Sequence, residues 1–427
     1  MKDKKEGFRQ KAALLDEADP LKDFRAEFKT SSDLIYFDGN SLGMMPHKSE
    51  KAVHKLVSEE WGQRLIRGWN DSWWNMPQRV ASRLAGLLGA YEDEIAVCDS
   101  TSVNLFKLVS ASLARQKGRK KILSDNLNFP SDLYVIQGII ESLDDGHYLE
   151  LAKTTDGISI HDDELIKRID ENTALVVLTH VSFRSAFMYD MKKVTEWAHN
   201  KGALVIWDLS HAAGAVEINL DAAGADMAVG CTYKYLNGGP GSPAFLYVNR
   251  NVRNNIISPL WAWLGEKNPF EFSLDYRPGE GASRYMTGSP TIISMSTLEP
   301  SLDILLDAGM ERLREKSLKL SRFLVEMYEE FLVPLEFRLG SPIDEDLRGS
   351  HISICHKEGF RICKALIDSE SGRYEIIPDF RPPENIRIGL APLYNTFFEV
   401  YELVNELERI ISQEIFEQFD TTSASVT

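Results

Sequence analysis

Cysteine is scarce in this chain: 427 residues hold four, Cys98, Cys231, Cys355 and Cys363, with no CxxC pair. A chain of this length cannot be held by so few bridges, so a disulfide scaffold is excluded and reduced, buried thiols are expected. Long apolar runs are missing as well. No uninterrupted stretch reaches the roughly 18 residues of a membrane span. The opening segment MKDKKEGFRQKAALLDEADP is charged and has no hydrophobic signal core, so a soluble, cytoplasmic chain is expected. A basic field is lacking too, since 48 Lys and Arg face 64 Asp and Glu, a net charge of −16. Nucleic acid and anionic membrane are therefore excluded as partners, because both need a cationic surface to displace counterions. The short cluster Lys117, Arg119, Lys120 and Lys121 does not reverse that balance. Internal repeats and low-complexity linkers are also absent.

What remains is ordinary globular composition, 43% hydrophobic and 26% charged, over a length that suits two domains. The first 35 residues read as charged helical segments broken at Asp16–Pro20. Short apolar runs then alternate with amphipathic stretches: 95–100, 121–125, 174–181, 203–210, 227–232 and 244–248 read as strands, with helices at 103–116 and 191–202. That alternation predicts an α/β fold with a mixed, mostly parallel sheet flanked by helices. From Pro300 the pattern shifts to a charged helix at 311–332, strand-like runs at 351–356 and 385–390, and a last helix at 398–419. The expected organisation is an N-terminal helical segment and arm over 1–59 packing on the small domain. A large domain follows over 60–299, then a smaller α+β domain over 300–420 and a disordered tail over 421–427. HISICH at 351–356 is not read as a metal site. Strand alternation sends His351, Ser353 and Cys355 to one face and Ile352, Ile354 and His356 to the other, and no second ligand group accompanies them.

In open α/β sheets ligands bind beyond the carboxyl ends of the strands. Asp208 ends one apolar run, followed by Ser210 and His211; the next run leads into Thr232, Tyr233, Lys234 and the rigid turn YLNGGPGSP. A lysine and a carboxylate on successive strand ends suit pyridoxal phosphate, which needs an amine for its Schiff base and an anion to keep its ring nitrogen protonated. Its phosphate needs N–H and hydroxyl donors at a helix N-terminus, and Ser100, Thr101 and Ser102 stand where a strand turns into a helix.

The segments FDGNSLGMMP (37–46), TSVNLFK (101–107), NFPSD (128–132), WDLSHAAGAVEINL (207–220), CTYKYLNGGPGSPAF (231–245) and IRIGLAPLYNTF (386–397) resemble kynureninase, a pyridoxal-phosphate hydrolase of the aspartate-aminotransferase fold. The resemblance runs in order from about 35 to 410. It implies that Lys234 carries the cofactor and then moves the Cα proton, and that Asp208 pairs with the ring nitrogen. Phe129 would cover the ring face, Asp132 its polar edge, and Thr179 and His211 would lie alongside. Thr101, Ser102 and Tyr233 would hold the phosphate, with Trp263 and Ser289 reaching it from the second subunit of a homodimer. Arg387 would receive the substrate α-carboxylate, a task for which a planar fork is suited, and Asn40, Ser41 and Gly288 would complete the substrate site. No metal is implied.

The implied reaction is hydrolysis of kynurenine, or its 3-hydroxy form, to anthranilate, or 3-hydroxyanthranilate, and L-alanine. A differently substituted aryl substrate, or another lyase or desulfurase reaction on the same cofactor, stays open because one fold hosts many chemistries. Tyr233 is a candidate donor of the Cβ proton or only a phosphate ligand. Trp69, Asn70 and Trp73 line an aryl pocket, or Trp73 and Trp74 are core and interface aromatics.

Overall fold

The computed structural model describes residues 2–368 and 372–420. Thirteen strands form three sheets among them: β1 (Leu34–Tyr36), β2 (Ile95–Val97), β3 (Lys121–Asp125), β4 (Tyr148–Ala152), β5 (Thr173–Thr179), β6 (Leu204–Asp208), β7 (Met227–Gly230), β8 (Phe245–Val248), β9 (Arg338–Leu339), β10 (His351–Cys355), β11 (Glu375–Ile377), β12 (Asp379–Arg381) and β13 (Asn385–Gly389). The seven-stranded sheet runs β2-β8-β7-β6-β5-β3-β4. Only β8 is reversed within it, pairing antiparallel with both β2 and β7, while the other pairs are parallel.

Strand β5 is buried at every position, so its sequence reads as one apolar run instead of alternating. Its side chains still divide by parity. Leu175 and Val177 join Leu105, Leu108, Ile136 and Ile139 from helices Thr101–Arg115 and Pro130–Leu143. Val176 and Leu178 join Val80, Val194, Leu298 and Leu302 from helices Met76–Leu88, Met191–Asn200 and Ile292–Ala308. Helices on both faces put the carboxyl ends of six strands on a single edge, and that edge carries the site.

A second core gathers around the antiparallel sheet β12-β13-β10-β9. Ile352 lies opposite Ile388 and Ile354 opposite Ile386, and this face packs on helices Met310–Met327, Gly359–Ile367 and Phe397–Ser412. The opposite face carries His351, Ser353, Arg387 and Gly389. Helix Lys2–Glu17 joins the second core through Phe8, edge-on to Phe331 at 5.5 Å. Leu21, Phe28 and Leu56 belong to the first core instead, so the N-terminal segment touches both.

Pro300, read as the point where the pattern changes, lies inside the continuous helix Ile292–Ala308. The change of core comes later, between Leu313 and Leu320 of the following helix. The helix expected to 419 ends at Ser412, with a short turn at Ile415–Gln418. The tail, expected to be disordered, lies outside the described residues. No described helix is long and apolar enough to cross a membrane.

Candidate functional site

Thr179 and Asp208 are paired in register at the carboxyl ends of β5 and β6, and Lys234 follows four residues after the end of β7. The loop of Gly39 to Gly43 locks the lysine turn from outside. The Gly43 amide donates to the Tyr233 carbonyl at 2.7 Å, and a Cβ at Gly43 would collide with the Lys234 carbonyl and Asn237. Only glycine permits that approach. Asn237 takes the left-handed conformation, at φ 54°, and the Thr297 hydroxyl donates to the Gly238 carbonyl, fixing the turn to helix Ile292–Ala308.

Nζ of Lys234 lies 2.8 Å from Nε2 of His211. Burial first, then the charge of Lys234, holds the His211 imidazole well below its ordinary pKa, so the ring is neutral and Nε2 accepts from the amine. Its Nδ1 has no hydrogen-bond partner among the described residues.

Asp208 Oδ1 accepts from the Ser210 amide at 2.8 Å and the Ser210 hydroxyl at 2.6 Å. Asp132 lies against Asp208, and its Oδ2 has no partner among the described residues. Burial raises both carboxyls, and for Asp132 the neighbouring Asp208 charge raises it further. Two buried carboxyls this close share a proton unless a cation joins them. A protonated pyridine nitrogen is such a cation, so the orphaned Asp132 oxygen and the Asp208 carboxylate fit pyridoxal phosphate.

A cavity of about 410 Å³ is lined by Thr101, Ser102, Phe129, Asp132, Thr179, Asp208, His211, Tyr233 and Lys234. Ser100 caps the helix beginning at Thr101 by accepting from the Val103 amide at 3.3 Å. Ser102 and Ser131 stand hydroxyl to hydroxyl at 3.0 Å, joining the first turns of helices Thr101–Arg115 and Pro130–Leu143. Two helix N-termini therefore open on the cavity, which suits a phosphate dianion. The Thr179 hydroxyl donates to the Val181 carbonyl at 3.1 Å, so it serves the backbone while lining the wall. The Tyr233 phenol is pushed up by neighbouring Cys231 and by burial, which keeps it protonated at neutral pH.

Sequence reasoning missed several residues. Ser131 lines the cavity, and so does Phe183, which meets Phe129 edge-on at 5.3 Å. Lys107, completely buried, pairs with Asp99 and donates to the Tyr285 carbonyl at 2.8 Å. Asp99 in turn accepts from the Thr287 hydroxyl at 2.8 Å, tying the phosphate-side loop to the 287–291 segment. A buried ammonium sitting in an amphipathic helix gives no sequence signal beyond its position.

Arg387 is almost wholly buried on β13. Burial lowers it to about 10, still a cation at neutral pH. It pairs with Asp379, donates to the Phe183 carbonyl at 2.5 Å and to the Ser41 hydroxyl at 3.0 Å, and leaves Nε without a partner. Asn40 is buried beside it with neither amide atom bonded.

Trp263, Ser289 and Gly288 do not line the cavity within one chain. Trp263 is 37% exposed, donates to the Pro269 carbonyl at 2.9 Å and packs against Trp74 and Phe270; Ser289 and Gly288 are exposed. Trp69, Asn70 and Trp73 stand away from Lys234 too. Trp73 belongs to the first core and donates to Glu60 at 2.8 Å, while Trp69 and Trp74 line a separate hollow of about 360 Å³. Among the described residues no group of acidic, histidine and cysteine side chains is placed to hold a metal ion.

The model of the class-V aminotransferase family matches residues 43–358, and that of the kynureninase C-terminal domain matches 313–407. A kynureninase of Pseudomonas fluorescens is 40% identical over 415 residues, covering 96% of this chain and 97% of the relative. Among solved structures, an apo cysteine desulfurase from Thermococcus onnurineus NA1 superposes with a TM-score of 0.79 at 21% identity, covering 92% of this chain and 98% of the other. A C-DES variant with glycine covalently linked to its PLP cofactor gives 0.78 at 15% identity, covering 90% and 98%. These structural likenesses speak to the fold, which is that of pyridoxal-phosphate enzymes. The full-length sequence identity, added to both family matches, is specific: the chain belongs to the kynureninase family.

Proposed function

We propose that this enzyme uses pyridoxal phosphate to hydrolyse the Cβ–Cγ bond of L-kynurenine or 3-hydroxykynurenine, releasing anthranilate or 3-hydroxyanthranilate and L-alanine, a step of tryptophan catabolism. The observation that carries the reading is the Lys234 amine in a cavity whose floor holds the Asp132 and Asp208 carboxyls, with the Arg387 fork on the facing domain. When bound, the cofactor supplies an electron sink for charge developing at the substrate Cα and Cβ. Asp208 would keep the ring nitrogen protonated. Thr101, Ser102 and the two helix N-termini would hold the phosphate, Phe129 would cover the ring face, and Thr179 would lie alongside.

Lys234, held by His211, would take the Cα proton as a general base, a role worth about 10²–10⁴ in rate. Arg387, with Asn40 and Ser41, would fix the α-carboxylate. Water would add to the ketone, the hydrate would collapse to the aryl acid as the Cβ–Cγ bond breaks and its electron pair passes to Cβ, and Tyr233 would give Cβ its proton. A donor aimed at the developing oxyanion contributes about 3–4 kcal/mol. A desulfurase reading would need a cysteine on a mobile loop, and all four cysteines are buried, Cys231 in the cavity wall just after β7.

We read the working unit as a cytoplasmic homodimer. Trp261, Trp263, Phe270, Phe272 and Leu274 form an exposed apolar face of the kind subunits cover. In that arrangement Trp263, Gly288 and Ser289 would complete the partner's site. Sedimentation gives the subunit count. Steady-state rates on kynurenine and 3-hydroxykynurenine, followed by product fluorescence, test the reaction and its preference; no product from either would reject it.

A further inference from the structure

His351 begins β10 on the face shared with Arg387 and Gly389. It is completely buried, and neither ring nitrogen makes a well-formed hydrogen bond among the described residues, although the backbone of Phe183 and Arg184 lies close to the ring. Leaving such a group unsatisfied costs roughly 1–3 kcal/mol, so a buried imidazole with two orphaned nitrogens calls for an explanation. Its surroundings offer one. The ring lies 5.6 Å from that of His211, the partner of Lys234. Gly389 pairs with His351 across the strands, and a Cβ there would collide with the Asn40 amide, so Asn40 fills the space next to His351. Asn40 too is completely buried with both amide atoms orphaned, and Arg387 Nε is orphaned beside them.

Three polar side chains thus leave five unsatisfied atoms on or beside the strand face that His351 shares with Arg387. Because the buried His351 ring is neutral, only one of its nitrogens carries a proton, so three of the five atoms are N–H donors, while the second ring nitrogen and the Asn40 oxygen are acceptors. A carboxylate has several acceptor positions and would satisfy the N–H donors together. We infer that His351 is a further substrate-binding residue, donating a ring N–H to the α-carboxylate of the amino acid held by Arg387 and Asn40. The inference rests on the amino acid reading above and adds a ligand to it.

The test compares His351→Leu, which removes both nitrogens, with His351→Gln, which keeps a donor of similar reach. KM for kynurenine and the inhibition constant of L-alanine are measured on the holoenzyme. We expect His351→Leu to raise both about tenfold while kcat changes less than threefold, and His351→Gln to stay within threefold of the parent. Unchanged constants in His351→Leu, a fall confined to kcat, or equal losses in both variants would overturn the assignment. Should the leucine variant not fold, His351→Asn, whose shorter side chain withdraws the donor, is expected to raise the same two constants. A parent enzyme that releases no anthranilate would instead reject the kynurenine reading, and calorimetric binding of L-alanine across the series would still decide the role of His351.

Discussion

The Lys234 amine and Nε2 of His211 stand 2.8 Å apart across the gap between two strand ends, and His211 is held neutral by its burial and by that lysine. A neutral acceptor orients the amine without adding charge. Replacing the ring by His211→Phe keeps its size and removes the acceptor, and kcat is expected to fall about tenfold, the value of one such hydrogen bond. Stopped-flow measurement of the proton-transfer step in the variant checks this; an unchanged rate would mean that His211 only fills space.

Asp208 and Asp132 differ in how their carboxyls are satisfied. Asp208 is fixed by two bonds from Ser210, whereas Asp132 has an orphaned oxygen. The better-held group is assigned to the ring nitrogen. Asp208→Asn is therefore expected to lower kcat/KM by about 10²–10⁴ while the cofactor still binds, with Asp132→Asn milder by at least about tenfold. Parallel kinetics and absorbance titration of both variants would show the order.

Arg387→Lys keeps a charge and loses the fork. Charge-assisted bonds of this kind are worth about 1.5–3 kcal/mol, so KM for kynurenine should rise about 10–100-fold with kcat less affected. Loss of kcat at unchanged KM would place the carboxylate elsewhere.

Most of the large sheet was legible because its strands are buried on both faces and read as apolar runs between turns; 121–125 is a strand over its whole span. Asp208 and Lys234 were legible because they are polar at the ends of such runs. Helix Ile292–Ala308 was not, since Pro300 looks like a terminator until its buried neighbours Leu298 and Leu302 are seen packing on the first core. His351 was read as part of a structural strand. Alternation gave its face correctly, but a face acquires meaning only from what packs opposite, and the long-range approach of Asn40 and His211 is invisible locally. Trp69 and Trp73 show the converse: the sequence left an aryl pocket and a core or interface role both open, and Trp73 serves the core while Trp69 lines an outer hollow.

His180 predicts a pH dependence of stability. Burial lowers its pKa from 6.5 to about 4. Between those values the unfolded chain binds more protons than the folded one, so stability falls as pH drops through the window. Asp125, raised to about 6 by burial, acts with the opposite sign below pH 6 and partly offsets it. His180→Gln should therefore lose less stability than the parent between pH 7 and pH 4.5, by on the order of 2 kcal/mol, in urea unfolding. Parallel curves for the two proteins would contradict the assignment.

The most direct test of the central claim is product stoichiometry. Purified holoenzyme is incubated with L-kynurenine, anthranilate and L-alanine are quantified together, and Lys234→Ala is run alongside. Equimolar anthranilate and alanine from the parent, with none above background from Lys234→Ala, is the predicted result. Anthranilate release equal in the two proteins, or none from either, would contradict it.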